Sequence, residues 1–452
     1  MTPAESPTPE RRAGRDLPPA DAEIASNRRV DLGASLLAAG FLSVMEMGGA
    51  IAKKAFQASD FEVALLTSGQ SAGLIASFLI AHLAHRGQKT PLVFWPEALS
   101  RLFLMGVIFL KPSASLGFVV LHALSQMCES MATPARISIY RLNYPSRRRG
   151  RIVGRIRQLQ LVLMALTALA LSLVLDWADG EKRLVGILGP SWLPKDVVVY
   201  AIPILSALGL AGSCLFFRRI RVREDRAADS DAATLGDTFR RFLRVWREDR
   251  DFRRYENFFF LFGFANIMSI PLVQIHAVDR LHADYFDLAL INVILVQGIM
   301  AATMVFWGRK VDRYTPATLR GFLNMIFAVD FLVLSVAPTI EWVYLGRIFR
   351  GIALGGGSLV WMLGSLYYAR SQKEAPIYLG IHTVLTGFRW LTAPYAGVLL
   401  KRAAGSDARP IFFASFVVVL LAAVWMLAVA RREVRRPAVE EEPMPAPRST
   451  GA

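Results

Sequence analysis

Charge sits where hydrocarbon would be expected. Glu46, Glu129, Arg347, Arg350 and Arg389 interrupt long apolar runs, and Asn266, Gln274, His382 and Trp390 lie in similar surroundings. An ionisable group inside a membrane is costly, and it usually faces a water-filled cavity or a partner. A carboxylate in a partly dry cavity can take up and release a proton, which makes Glu46 and Glu129 candidate proton carriers. Arg389 can bind an anionic solute or neutralise a carboxylate. Asn266 and Gln274 can hydrogen-bond a solute or join neighbouring helices. Glu97 and Arg101 stand four residues apart and are expected to pair with each other, and Asp330 is expected to be structural.

The elements that must position these groups are legible as apolar runs. Of the 452 residues 54% are hydrophobic and 19% charged. A helix needs about 20 apolar residues to cross the hydrocarbon layer, and the backbone must bond internally there. Twelve spans are predicted at about 31–52, 61–82, 91–110, 115–136, 154–176, 197–217, 256–276, 285–307, 317–337, 342–368, 376–400 and 410–430. The fold class is therefore all-α integral membrane, with twelve helices in two halves.

Basic residues are distributed unevenly between the loops. With both termini on one side, that side holds roughly 38 Lys and Arg against roughly 10 opposite, which predicts cytoplasmic termini in a cell inner membrane. The net charge of +16 is thereby explained without nucleic acid, for which no signature appears. Residues 1–30 and 431–452 read as disordered cytoplasmic tails. The two bundles are predicted over 31–217 and 256–430. Between them, 218–255 is a linker in which Leu235, Phe239, Phe242, Leu243 and Trp246 recur at helical spacing, interleaved with Arg240, Arg241, Arg244 and Arg247. That is an amphipathic helix suited to an anionic leaflet.

A shift of 225 residues aligns Ala64-Leu65 with Ala289-Leu290, Gly73 with Gly298, and Thr90-Pro91 with Thr315-Pro316. Two six-helix halves in parallel repeat are an architecture of secondary transporters.

Two motifs carry a family likeness. Gly308-Arg309-Lys310-Val311-Asp312-Arg313, between the eighth and ninth spans, resembles the Gly-x-x-x-Asp-Arg loop of the major facilitator superfamily. Arg347-x-x-x-Gly351-x-x-x-Gly355 resembles that family's Arg-x-x-x-Gly-x-x-x-Gly helix. The resemblance implies a charge latch made by Gly308, Asp312 and Arg313. The equivalent loop in the first half has Ala81 and His85 where the family has Gly and Asp. The resemblance also implies that spans one, four, seven and ten line a central pathway. Glu46, Glu129, Asn266, Gln274, Arg347 and Arg389 could then face it, with Arg350, His382 and Trp390 beside them.

The function expected is movement of a small polar or amphipathic solute, with H+ as coupling ion. An uncoupled facilitator, a lipid-type exporter and a transporter-like receptor are the alternatives. No Walker, His-Glu-x-x-His or Gly-x-Ser-x-Gly sequence appears, so no enzyme is expected. Cys128, Cys214 and six histidines form no metal spacing, and no cofactor or metal is expected. Membrane lipids are the expected surroundings, and the chain is expected to act as a monomer.

Overall fold

The computed structural model describes residues 21–76, 89–111, 113–222, 235–311, 313–369 and 374–431. Twelve helical stretches follow the twelve expected spans. They are α1 (Asp21–Lys54), α2 (Asp60–Ser68, helical again over 70–76), α3 (Lys89–Met105), α4 (Ser115–Asn143), α5 (Ser146–Ala178) and α7 (Val198–Arg219), then α9 (Arg250–Asp279), α10 with α11 (Tyr285–Ala289 and Leu295–Val311, joined by a wide π turn), α12 (Pro316–Val336), α13 (Ile340–Tyr367), α14 (Ala375–Ala403) and α15 (Arg409–Ala430). Two shorter helices are α6 (Lys182–Leu188) and α8 (Leu235–Glu248).

Local chemistry sets the boundaries. Ser59 caps α2 in a reciprocal box with Glu62, and Asp284 does the same for α10 with Asp287; each box satisfies two orphan donors at a helix start. Thr315 caps α12, with Pro316 at its first position, where a missing N–H costs nothing.

Both halves pack alike. In the first, α1 lies against α5 and α7, α3 against α4 and α7, and α2 against α4. In the second, α9 lies against α14 and α15, α12 against α13 and α15, and α11 against α13. Large apolar side chains such as Leu166, Val305, Phe413, Leu421 and Trp425 point outward, as a lipid-facing surface requires. Eight helices contain an apolar window long enough to cross a membrane, by length and composition alone. Within the described residues α2, α4, α13 and α14 are not among them.

The arginine-rich helix α8 turns its apolar side onto its own bundle. Phe242, Val245 and Trp246 pack on the cluster of Phe252, Tyr255, Tyr368 and Tyr378, while Leu243 is exposed.

Candidate functional site

A cavity of about 490 Å³ lies between the halves. Of the candidate site residues, Glu46, Glu129, Asn266, Gln274, Arg347, Arg350 and Trp390 line it. Further amides and hydroxyls join them: Gln70, Gln126, Asn292, Gln297, Thr67 and Ser130. The Asn292 amide donates to Gln274 Oε1 at 3.0 Å. The wall thus offers hydrogen-bond donors and acceptors in number, with few charges.

Those charges are held differently. Glu46 on α1 is exposed to the cavity and has no hydrogen-bond or ion-pair partner among the described residues. On α4, Glu129 accepts a hydrogen bond from Arg101 Nη1. Glu97 and Arg101 form the expected ion pair, at 3.9 Å, and Arg101 Nη1 also donates to the Glu97 carbonyl at 3.0 Å. The Glu97 carboxylate accepts in addition from Arg136 Nε at 3.0 Å and from the Ser213 hydroxyl at 2.9 Å. Arg136 also lies 3.8 Å from Asp31, whose carboxylate accepts from Tyr140 and Tyr144. A ladder of alternating sign, Asp31–Arg136–Glu97–Arg101–Glu129, therefore runs from the end of the bundle that bears the termini up to the cavity. Sequence spacing gave only the Glu97–Arg101 step, because the other steps join residues 28 to 105 positions apart on different helices.

Arg347 and Arg350 converge on one acid. Arg347 Nη2 donates to both oxygens of Asp330, at 2.6 and 2.8 Å. Arg350 Nη1 donates to Asn266 Oδ1 at 2.9 Å and lies 3.5 Å from Asp330. The ionised donor and acceptor make this a charge-assisted pair, with one nitrogen shared between both oxygens. Close approach of α13 to α12 accommodates the pair, since a Cβ on Gly346 would stand 2.8 Å from Asp330 Oδ1; toward α11, a Cβ on Gly351 would stand 2.8 Å from Ile299, and one on Gly355 2.3 Å from Thr303. The glycines of the Arg-x-x-x-Gly-x-x-x-Gly run thus form the seam with α11.

His382 and Arg389 lie apart from this cavity. His382 is fully buried, with Nδ1 2.9 Å from Glu256 Oε1. Arg389 donates to the Phe259 carbonyl at 2.6 Å and to the Thr386 hydroxyl at 2.7 Å. Gly263 makes the space, since a Cβ there would lie 2.0 Å from Arg389 Nη1. Arg320 rests on the rings of Phe259 and Phe262 at 4.5 and 4.4 Å, a cation–π arrangement. Asp312, Ala81 and His85 lie outside the described residues. Gly308 has open space where a Cβ would be, so it makes no close helix contact in this conformation.

The end opposite the termini is closed by contacts across the halves. Lys401 reaches Asp60 at 2.7 Å and Lys53 reaches Asp279 at 3.0 Å. Asp176 accepts from the backbone N–H groups of Tyr285 and Phe286, both at 2.7 Å. These two N–H groups open α10, so the carboxylate sits where the helix dipole favours it. The Ser68 and Tyr395 hydroxyls stand 3.2 Å apart. Toward the terminal end the central cavity is continuous, through shared Leu42 and Glu129, with a second one of about 380 Å³. The protein is thus shut at one end and hollow toward the other. Sequence reasoning missed Arg157 and Gln160 in this second cavity; the 225-residue shift, which sets Arg157 on His382 and Asp31 on Glu256, was the available signal.

The family model described as Major Facilitator Superfamily matches residues 32–364. No curated protein matches the chain. Among solved structures, a bacterial homologue of the human lysosomal transporter Spinster, inward-facing and unoccupied, is similar at TM-score 0.66 and 14% identity, covering 91% of this chain and 98% of that one. A D-xylose-proton symporter is similar at TM-score 0.62 and 16% identity, covering 89% and 97%. The nucleoside transporter NupG is similar at TM-score 0.63 and 12% identity, covering 88% and 99%. At such identities the likeness is one of fold.

Proposed function

This chain belongs to the major facilitator superfamily, and from that premise we propose that it is a secondary transporter of a small polar or amphipathic solute, driven by H+. It works by rocking its two halves about the central cavity. The observation that carries this reading is Glu46, a carboxylate without an ion pair among the described residues, open to a cavity lined by amides and by Arg350. A proton there changes the cavity's charge without breaking any ion pair. Glu129, which borders the cavity while accepting from Arg101, is the second carrier.

The closed end would open as the hollow end shuts. The Gly308–Asp312–Arg313 loop, on the hollow side, would latch that alternate state. By the bias of basic loops the hollow end faces the cytoplasm of a cell whose inner membrane houses the protein as a monomer. The solved neighbours named for xylose–proton symport and nucleoside transport support a hydrophilic solute, as does the number of amides.

The test is flux into proteoliposomes with and without a pH gradient. Wild type should accumulate solute only with the gradient, and Glu46→Gln should equilibrate it without accumulation. Flux that ignores the gradient would overturn coupling and leave a facilitator. Gradient-driven accumulation by Glu46→Gln would remove Glu46 from the role.

A further inference from the structure

We propose that the second cavity holds an oxyanion subsite centred on Arg157, which receives the carboxylate or phosphate group of a solute between the central cavity and the terminal end. The proposal rests on the transport reading for its purpose and on geometry for its existence.

Arg157 lies on α5, eleven residues in from its first residue, Ser146, and lines the cavity of about 380 Å³. Its side chain is exposed to that space. Nη1 donates to Gln160 Oε1 at 2.6 Å, and Gln160 is itself fixed by donating to the Ser35 carbonyl at 3.1 Å. The guanidinium is therefore oriented by a neutral group that leaves its charge untouched. Among the described residues no carboxylate forms an ion pair with it.

The other charges around the cavity are spoken for. Glu97 and Glu129 line it, held by Arg136 and Arg101 respectively. Asp31 lies behind, fully buried, on Arg136 and two tyrosines. Glu46 acts on Arg157 only from beyond contact. A fixed guanidinium with free N–H groups matches a planar carboxylate or a phosphate face, and Thr133 and Tyr140 line the same space.

The repeat makes the opening specific. His382, at the position equivalent to Arg157, is buried on Glu256, the equivalent of Asp31. In the first half Asp31 has been taken by Arg136. The pairing that closes this position in one half is absent from the other.

Thermal unfolding in phosphatidylcholine nanodiscs tests the subsite without requiring transport. Sodium phosphate and sodium succinate are titrated against sodium chloride at matched ionic strength. Either oxyanion should raise the melting temperature of wild type. Arg157→Gln should need about ten-fold more anion or beyond, given the strength of hydrogen bonds between charged groups. Arg157→Lys should retain part of the response, and Arg155→Gln all of it. Coincident curves for wild type and Arg157→Gln overturn the proposal, as does a failure of both anions. Stabilisation by phosphatidylglycerol discs alone overturns it in favour of a lipid headgroup.

Phenylglyoxal labelling of wild type, mapped by mass spectrometry, needs no variant. Phosphate should slow modification of Arg157, and equal labelling with and without phosphate counts against the site. Flux of no solute at all would remove the transporter reading while leaving these binding results to stand on their own.

Discussion

The two halves share a packing plan and use charge in opposite ways. In the first half, carboxylates and arginines alternate along a ladder that ends at the cavities, and two acids of this half, Glu129 on the ladder and Glu46 beside it, border the central cavity. In the second half, Arg320, Arg389, His382 and Glu256 are sealed inside, and the acid that holds Arg347 and Arg350, Asp330, is fully buried. Equal positions in a repeat have thus been given unequal partners. A sealed ion keeps its partner, and an ion that meets the cavity can change its protonation and exchange partners. Burial is what separates the two: removing one member of a buried pair strands the other, whereas a wetted ion is rescued by solvent.

The largest effect expected from this contrast comes from Asp330→Asn. It leaves two arginines without their acid, and thermal or denaturant unfolding should show a loss of about 3–5 kcal/mol. Glu46→Gln, its wetted counterpart, should cost less than about 0.5 kcal/mol while altering coupled flux. Equal destabilisation by both would erase the distinction between the halves.

Next in size is Gly263→Ala. The added methyl collides with Arg389, and overpacking of this kind costs about 1–3 kcal/mol. If the variant is as stable as wild type, Arg389 moves freely and the second half is less sealed than its burial indicates.

A smaller shift should follow Asp60→Ala, which frees Lys401 and leaves Lys53 to Asp279 alone. A loss of about 1–2 kcal/mol in closure would change the ratio of open to closed states by roughly 5–30-fold. A cysteine at Ser68, with Cys128 and Cys214 replaced by alanine, should then react faster with an impermeant maleimide from the closed end. An unchanged labelling rate would show that Asp176 and the ends of α10 hold the gate alone.

The smallest effect concerns the loop before α15. A hydrogen bond from Arg409 holds the Asp407 carboxyl at about 2, below the ordinary carboxylate value near 4. A depressed folded value means that the ionised form stabilises the fold above the ordinary value and that this contribution fades as pH falls toward about 2. The melting-temperature gap between wild type and Asp407→Asn should therefore be constant at neutral pH and close between about pH 4 and pH 2. A gap independent of pH would show that the aspartate acts through packing instead.

Much of the architecture was readable from composition along the chain. Apolar length marks a span whatever its neighbours are, because the backbone must satisfy itself within hydrocarbon. All twelve spans carry helix over their described residues, and the glycines of α13 lie on the seam that their spacing implied. Seven of the nine candidate solute-binding residues line one cavity for a related reason: a polar group in an apolar run must be given water or a partner.

The choice between water and partner was not readable. Arg389 and Arg350 are the same residue type in comparable apolar surroundings, yet one borders the cavity and the other is packed around Phe259. Arg101 pairs with Glu97 one turn away, as its spacing implied, yet approaches Glu129 on the adjacent helix more closely.

By itself the sequence determined that this chain is a twelve-helix membrane protein in two related halves with charge inside its spans, because spacing and hydropathy act over single helices. Only the tertiary structure decided which charges are wet, which are paired, and which end is shut. Those outcomes depend on distances of about 3 Å between helices far apart in the chain, and no local pattern encodes them.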